Sequence, residues 1–448
     1  MTAPSAGRPT GRGREWLIVA MLFLFLLINF ADKAVVGLAA GPILRDLHMT
    51  HVQFGELGSS FFLLFSLSAV VVGFGVNKVS CKWTLAAMGL VWSVAQLALL
   101  LPGGAALLTL NRVALGAGEG PAYPVAIHAI YKWFPEERRA FPTSLIAVGG
   151  AVGVGVVAPI ITWVILTYSW RAAFCCLGFA GLVWLALWTL LGAEGQYKTR
   201  RPELEPSRQV SYWALFTSRT MIGSVVTGFS AYWLLSLAVV WLPNYLNRGA
   251  GYAPSVVGWI VALPAVCQIL YVPGLCAISQ MIRRRGASPW IAQVVPACGS
   301  VMIAGAATAL LPLASGSLAP ALLAAVAFGV GPVTFALGPT MLSEIAPPNQ
   351  RGALLGTSTA LSTLAGVFAP SVMGLFIDAH GGDAAQGFRL GFLVAGVLVV
   401  LGGLVSLVLM NPEADARRLA GRRQDPEVAK AVAARRQDGG QIERAGLV

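Results

Sequence analysis

Twelve runs of about twenty predominantly apolar residues recur along this chain, the length an α-helix needs to cross the hydrocarbon core of a bilayer. They lie at 16–38, 54–76, 83–101, 105–131, 140–166, 170–192, 220–246, 254–279, 288–311, 317–342, 351–377 and 387–410. A water-soluble fold could not clothe them, because only 11% of the 448 residues are charged, against about a quarter in soluble domains. The 56% of hydrophobic residues and 51 Gly also exclude a disordered chain, which leaves a polytopic, all-α membrane protein. The six Cys lack metal-ligand spacing and sit mostly in apolar runs. They read as small membrane-core residues rather than disulfides or zinc ligands.

A net charge of +12 could mark a nucleic-acid binder, but the placement of the basic residues decides otherwise. With the N-terminus cytosolic, 25 of the 31 Lys and Arg fall in cytosolic segments. Four (Arg45, Arg171, Arg248, Arg389) fall in outer loops, and Lys33 and Arg112 lie within spans. This is the positive-inside pattern, so the basic charge sets topology and no nucleic-acid partner is expected. The first run follows Arg8, Arg12 and Arg14 and has the outline of a signal peptide, yet eleven further spans favour a retained first helix. The expected division is a cytosolic N-terminus 1–15, a six-span bundle 16–192, a cytosolic linker 193–219, a second six-span bundle 220–410 and a charged cytosolic tail 411–448, either disordered or loosely helical.

The two halves repeat one another where helices meet loops. The fourth span runs into Trp133-Phe-Pro-Glu-Glu-Arg138 and the tenth into Glu344-Ile-Ala-Pro-Pro-Asn-Gln-Arg351, with Pro135 to Arg138 spaced as Pro348 to Arg351. The fifth span carries Gly149, Gly150, Gly153, Gly155 and Pro159, and the eleventh Gly352, Gly356, Gly366 and Pro370. Six spans followed by six in the same order imply bundles related by an axis along the membrane normal. In a transporter the site then lies between the halves near the midplane. Most of the glycines also serve close helix packing.

Ionisable residues inside the spans are few: Asp32 and Lys33 in the first, Arg112 and Glu119 in the fourth. Each costs about 2.5–3.5 kcal/mol at a helix centre, so a functional role is the default. Arg112 and Glu119 are two turns apart, roughly 10 Å along the axis, on one face with Gly116 and Tyr123. Two acids with two cations in one bundle make a titratable cluster suited to coupled protonation. The structural alternative is an Arg112–Asp32 ion pair that only folds the bundle, and Lys33 could instead snorkel at the outer surface. Asn29, Tyr123, Tyr232, Trp233, Thr359 and Thr363 are candidate cavity-lining residues; Tyr232, Trp233, Trp241, Tyr245 and Trp259 could gate an outer vestibule or belong to the interfacial belt.

These residues resemble the major facilitator superfamily and, within it, the anion:cation symporter family of bacterial organic-anion and sugar-acid symporters, sialin and the vesicular glutamate transporters. The resemblance covers about residues 16–411. Its most specific piece is Arg112-Val-Ala-Leu-Gly-Ala-Gly-Glu-Gly-Pro-Ala-Tyr-Pro124, joined by Asn29-Phe-Ala-Asp-Lys33, Ser169-Trp-Arg171, Trp241-Leu-Pro-Asn-Tyr-Leu246 and Glu344-Ile-Ala-Pro347. It implies that Asp32 and Glu119 carry protons and that Arg112 couples them to a substrate anion, with Lys33 beside it. The departures are informative. Asn77 and Gln280 stand where the family's loop motif usually has Asp, which puts its cytosolic latch in doubt and favours inward-open forms. Phe30 replaces a common Tyr, and Lys33 a common Arg, exchanging a bidentate fork for a point charge. Thr357, Ser358, Thr359, Ser362 and Thr363 stand where sugar-acid members tend to have Asn, which favours a less polar carboxylate.

The expected function is import of an organic anion with protons by alternating access, across the inner (plasma) membrane, by a monomer without cofactor or metal. An exporter or an uncoupled facilitator would share the fold, and a non-transporting membrane sensor is the option from a different class. No nucleophile–base set, metal cluster or phosphate loop suggests an enzyme.

Overall fold

The computed structural model of the chain describes residues 12–75, 80–135, 138–195, 210–316, 318–347, 350–380 and 383–421. Asn77, residues 196–209 of the linker and 422–448 of the tail, on which expectations were placed, lie outside the described residues. The described residues are helical throughout their regular structure: α1 (Arg12–Leu38), α2 (Ala40–Asp46), α3 (His51–Gly75), α4 (Cys81–Leu97), α5 (Ala105–Glu119), α6 (Ala122–Trp133), α7 (Ala140–Thr167), α8 (Trp170–Leu191), α9 (Tyr212–Phe216), α10 (Arg219–Val240), α11 (Leu242–Asn244), α12 (Pro254–Arg284), α13 (Val295–Leu310), α14 (Ala319–Gly329), α15 (Thr334–Ile345), α16 (Arg351–Thr363), α17 (Ala365–Asp378), α18 (Ala384–Leu409) and α19 (Pro412–Gly421). Ten helical stretches among them are long and apolar enough to cross a membrane. The most apolar, α18, is also the least buried, with 33% of its central stretch covered by protein. Leu404, Val408 and Leu401 lie open along it. That is the reverse of water-soluble packing and the expected state of a helix solvated by lipid.

Serine caps start several of these helices. The hydroxyls of Ser80, Ser169 and Ser218 accept from the backbone N–H of Trp83, Ala172 and Met221, three residues on. Proline ends others. The fourth apolar run, expected as one helix, is two, parted at Gly120-Pro121, and the tenth is likewise parted at Gly331-Pro332. Proline lacks an N–H and its ring collides with the carbonyl four residues back, so the same dipeptide breaks the same run in each half. The sequence 279–286, expected as a loop, instead forms the last turn of α12 through Arg284, where basic side chains complement the negative end of the helix dipole. The described part of the tail takes the helical one of its two expected states: α19 carries Asp415, buried, which accepts from the N–H and hydroxyl of Thr220 at the start of α10 (2.7 and 2.6 Å).

The first and last described residues lie at one end of the molecule. Gly37 of α1 packs on the Val239 carbonyl of α10, so these helices run parallel, and Met410, just beyond α18, packs at Gly223 near the start of α10. At the opposite, far end one apolar core runs through both halves, from Val35, Phe54 and Ile161 to Trp241, Val257 and Met373. At the terminal end the buried cores of the halves are distinct, around Trp92, Ile130 and Trp184 in residues 12–195, with Val367 of the second half packed against it, and around Leu215, Met341 and Leu354 beyond residue 209. α3 meets α17, and α12 meets α7, across the halves. Glycine permits the approach: Gly55 lies on the Pro370 carbonyl and Gly374 on the His51 carbonyl, where a Cβ would collide with backbone, and Gly258 lies against Pro159 and the Thr162 hydroxyl. Among the described residues, every hydrogen bond that crosses the halves runs from residues 51–66 to residues 363–378. The halves are therefore joined at the far end and separate toward the chain termini.

The terminal end of each half is pinned by an acid other than those the loop motif lacks. Glu194 accepts from the Lys82 N–H (2.7 Å) at the start of α4 and pairs with Lys132 (3.0 Å). Glu344 accepts from Arg283 (3.3 Å) and Gln293 (3.1 Å). Each of these contacts stays within its own half.

Candidate functional site: a buried charge cluster beside the cavity between the halves

The cluster is built on α1, α4 and α5. Asn29, Asp32 and Lys33 project from the middle of α1, and Asn29 and Lys33, four residues apart, stand one above the other. α5 comes close enough to reach them because Gly116 and Gly120 seat their backbones on the Phe61 and Phe65 carbonyls of α3. Asp32, Arg112 and Glu119 are each 1% exposed.

The four ionisable groups fall into two sets. In the first, Gln96 of α4 donates from Nε2 to Asp32 Oδ1 (2.7 Å), and its Oε1 accepts from Arg112 Nη2 (3.5 Å). The Arg112 guanidinium also donates to Asn111 Oδ1 (2.9 Å) and to the backbone carbonyl of Asp32 (3.4 Å), and lies 5.2 Å from the Phe174 ring centre. The Arg112–Asp32 carboxylate pair, the structural alternative, is not made: an amide stands between the two charges. In the second set Lys33 Nζ pairs with Glu119 Oε2 at 2.9 Å and donates to Asn29 Oδ1. Its ammonium lies 4.7 Å from the Phe30 ring centre and 5.5 Å from that of Phe65. Lys33 thus sits inside the protein, its side chain 11% exposed, instead of snorkelling outward. Among the described residues, Asp32 Oδ2, Asn29 Nδ2 and Glu119 Oε1 are buried without a hydrogen-bond partner. Such polar atoms are costly unless they are used.

Lys33 and Arg112 both border a narrow gap with Phe61, Phe62 and Val239. Val239 and Phe30 in turn form part of a larger cavity between the halves, walled by α1, α7, α10, α12 and α14. The charges therefore stand at the edge of the space where the halves face each other.

The remaining candidates divide. Asn29 belongs to the cluster. Tyr123, expected on one face with Arg112 and Glu119, lies beyond the Gly120-Pro121 break, in α6, and is 42% exposed. Tyr232 lies on the cavity-lining face of α10, one turn from Leu235 and two from Val239, with its ring 4.7 Å from that of Phe335. Trp233, the next residue, faces the other way, into a cleft with Val372, Phe376 and Leu398, and does not line the cavity between the halves. Thr363 is spent on a bond between the halves, accepting from Ser66 of α3 (2.6 Å). Thr359, one turn nearer the terminal end on the same face of α16, is exposed. Among the vestibule candidates, Trp241 is fully buried, donates to the Pro370 carbonyl (2.9 Å) and packs on Phe54 of the first half, which plugs the far end. Trp259 is 66% exposed. Gln96 and Asn111 were missed in the sequence, although an amide in mid-span is a signal of the same kind as a charge.

A helical membrane protein whose two halves enclose a cavity flanked by buried carboxylates and cations has the architecture of a secondary transporter. Residues 22–331 and 292–440 match the Major Facilitator Superfamily, and the chain belongs to that family. It is 23% identical to the hexuronate transporter of Bacillus subtilis (strain 168) over 407 residues, covering 88% of this chain and 94% of that one. It is 24% identical to the probable sulfoacetate transporter SauU of Cupriavidus necator over 415 residues, with the same shares covered. In fold it is similar to a bacterial homolog of the human lysosomal transporter Spinster in an inward-facing, unoccupied conformation, with a TM-score of 0.73 and 17% identity over 94% of this chain and 100% of that one. These relatives are transporters, and the chain is a transporter-family membrane protein rather than an enzyme.

Proposed function

We propose that this protein imports an organic anion, a carboxylate, together with protons across the inner (plasma) membrane by alternating access. In this reading α3 and the α5–α6 pair complete twelve spans in two bundles, 16–192 and 220–410, joined by the 193–219 linker. The segments 1–15, 193–219 and 411–448 face the cytosol, as their basic residues favour. The far end is then the outer face, closed, and the separation toward the termini is an inward opening. The observation that carries the proposal is the Lys33–Glu119 ion pair beside the cavity between the halves.

The chemistry follows from what each group can hold. While Glu119 is ionised it occupies Lys33 at 2.9 Å. A proton on Glu119 cancels that attraction and leaves a buried ammonium in need of an anion. A substrate carboxylate then takes the vacated place on Lys33, with the free Nδ2 of Asn29 as a second donor. Asp32 acts through Gln96: once protonated, its carboxyl no longer needs the amide N–H, and if the Gln96 amide turns over to accept from it, the amide oxygen leaves Arg112 and frees one guanidinium N–H toward the same gap. Binding and protonation are thus mutually dependent, the requirement for symport. The functional unit is a monomer.

The test is proteoliposomes carrying an internal pH dye, offered pools of aliphatic, aromatic, amino- and sugar-carboxylates, with protein-free vesicles subtracted. One pool acidifies the interior with the wild type, and the signal vanishes in Glu119→Gln while labelled anion still exchanges. Anion movement that carries no protons in the wild type would leave an uncoupled facilitator.

A further inference from the structure

We infer that the cavity between the halves receives an apolar body, so that the anion carried is a monocarboxylate with a hydrocarbon or aromatic body rather than a polyhydroxylated sugar acid. The inference rests on the carboxylate reading above and adds what the rest of the substrate must be.

The cavity is bounded by helices of both halves, α1 and α7 on one side and α10, α12 and α14 on the other. Sixteen residues line it, and Gln268 of α12 is the one with a polar side chain. The first half contributes Phe30 and the small side chains of Ala147 and Ala151; the second contributes Leu235, Pro264 and Phe328. A sugar acid would bring four or more hydroxyls into this space and leave most of them without partners, and each buried hydroxyl left unpaired carries the cost of its lost hydration. An apolar body meets no such penalty and gains from burial.

Two of the hydroxyls that stand where sugar-acid members tend to have Asn are turned away from the cavity. Thr363 is bonded to Ser66, and Ser362 is buried against Gly228 of α10. Neither borders the cavity. The charge is confined to one side: Lys33 lies 4.7 Å from the Phe30 ring, whose residue also walls the cavity, and Val239 borders both the cavity and the Lys33–Arg112 gap. A molecule with its carboxylate at Lys33 and its body past Phe30 and Val239 matches this division. The amide of Gln268, which forms no hydrogen bond among the described residues, can take one polar substituent on that body.

Protonated apolar acids cross lipid unaided, so the test is binding to the purified full chain in detergent, by calorimetry and thermal shift. Hexanoate and 3-phenylpropionate are compared with D-galactonate and glucarate, for the wild type, Ala151→Phe, Gln268→Leu and Lys33→Met. The apolar pair binds at least about tenfold more tightly than the sugar acids, the factor that one unmade hydrogen bond supplies. Ala151→Phe, which fills the cavity, weakens 3-phenylpropionate by a similar factor and leaves propionate unchanged. Gln268→Leu affects 6-hydroxyhexanoate and spares hexanoate. Lys33→Met weakens both classes together. Tighter binding of the sugar acids overturns the apolar-body inference and leaves the carboxylate reading standing. If neither class binds to wild-type protein that melts cooperatively, the carboxylate reading itself fails, and the inference with it.

Discussion

Asp378, the last residue of α17, holds the far end shut by capping a helix of the other half. Its carboxylate accepts from the backbone N–H of His51 (3.2 Å) and Val52 (2.9 Å) at the start of α3, and its Oδ1 lies 2.7 Å from His51 Nδ1. Replacing it with Ala removes all three contacts without touching the core of either half. An N-cap is worth about 1 kcal/mol, and a hydrogen bond to a charged group about 1.5–3 kcal/mol. The Asp378 and His51 side chains are 31% and 23% exposed, so the lower part of that range applies, and about 2 kcal/mol is a fair total. At 1.4 kcal/mol per decade this shifts the balance between closed and open far ends roughly 30-fold toward open. In a Cys-free background, spin labels on Arg45 and Ala385, both exposed at the far end, report the change by pulsed dipolar spectroscopy. The long-distance population rises sharply in Asp378→Ala and less in Asp378→Asn, which keeps one acceptor oxygen. An unchanged distance distribution in a well-folded Asp378→Ala protein would refute the reasoning, since the glycine-mediated packing alone would then be closing the far end.

Three further outcomes follow from individual contacts. Gly116→Ala drives a methyl into the Phe61 carbonyl of α3, an overpacking cost of about 1–3 kcal/mol; its thermal midpoint falls, whereas that of Gly41→Ala, with nothing near its added carbon, does not. Gln96→Leu removes the amide between Asp32 and Arg112, so proton-coupled uptake drops at least about tenfold while facilitated exchange survives; equal loss of both would make Gln96 merely structural. Burial pushes the Glu194 carboxyl up, but its bonds to Ser80, the Lys82 N–H and Lys132 outweigh that and hold it below its ordinary 4.5. A depressed carboxyl stabilises above its unfolded value and loses that contribution as pH falls through the folded one. Wild type is therefore more stable than Glu194→Gln at neutral pH, and the difference closes in an acid titration below about 4.5.

The spans were legible because a lipid-facing helix needs length and apolarity, and little else in the chain competes with that signal. α7 and α8 begin where the sequence places them and end within a residue of it. Internal breaks were harder to read. Gly120-Pro121 and Gly331-Pro332 are visible as letters, but whether a proline kinks or parts a helix depends on what satisfies the freed carbonyls, and that is set by neighbouring helices. The charges were legible as unpaired costs, their partners were not: Asp32 meets Gln96 of α4 and Lys33 meets Glu119 of α5, pairings set by how separate helices pack and not by spacing along any one of them. Trp233 was misassigned for a related reason, since adjacent residues on a helix lie about 100° apart and only packing decides which of Tyr232 and Trp233 faces the cavity.

The two halves share an order of helices but divide the chemistry unequally. Among the described residues, the buried charges within the apolar runs, Asp32, Arg112 and Glu119, all belong to the first half, together with Lys33. The second half's buried acid, Asp415, caps α10 at the terminal end, away from the cavity. The second half offers the cavity apolar walls and the Gln268 amide. Under the proposed mechanism, coupling resides in α1, α4 and α5, and discrimination between substrates in α10, α12 and α14. That division has a consequence for change by substitution. A polar residue introduced on α12 or α14 alters which anion fits without disturbing Lys33 and Glu119, whereas every group in the first-half cluster contacts another member of it. Substrate range can drift within such a protein while the proton step stays fixed, and the exchange of one cavity-wall residue should move specificity and leave the dependence on Glu119 intact.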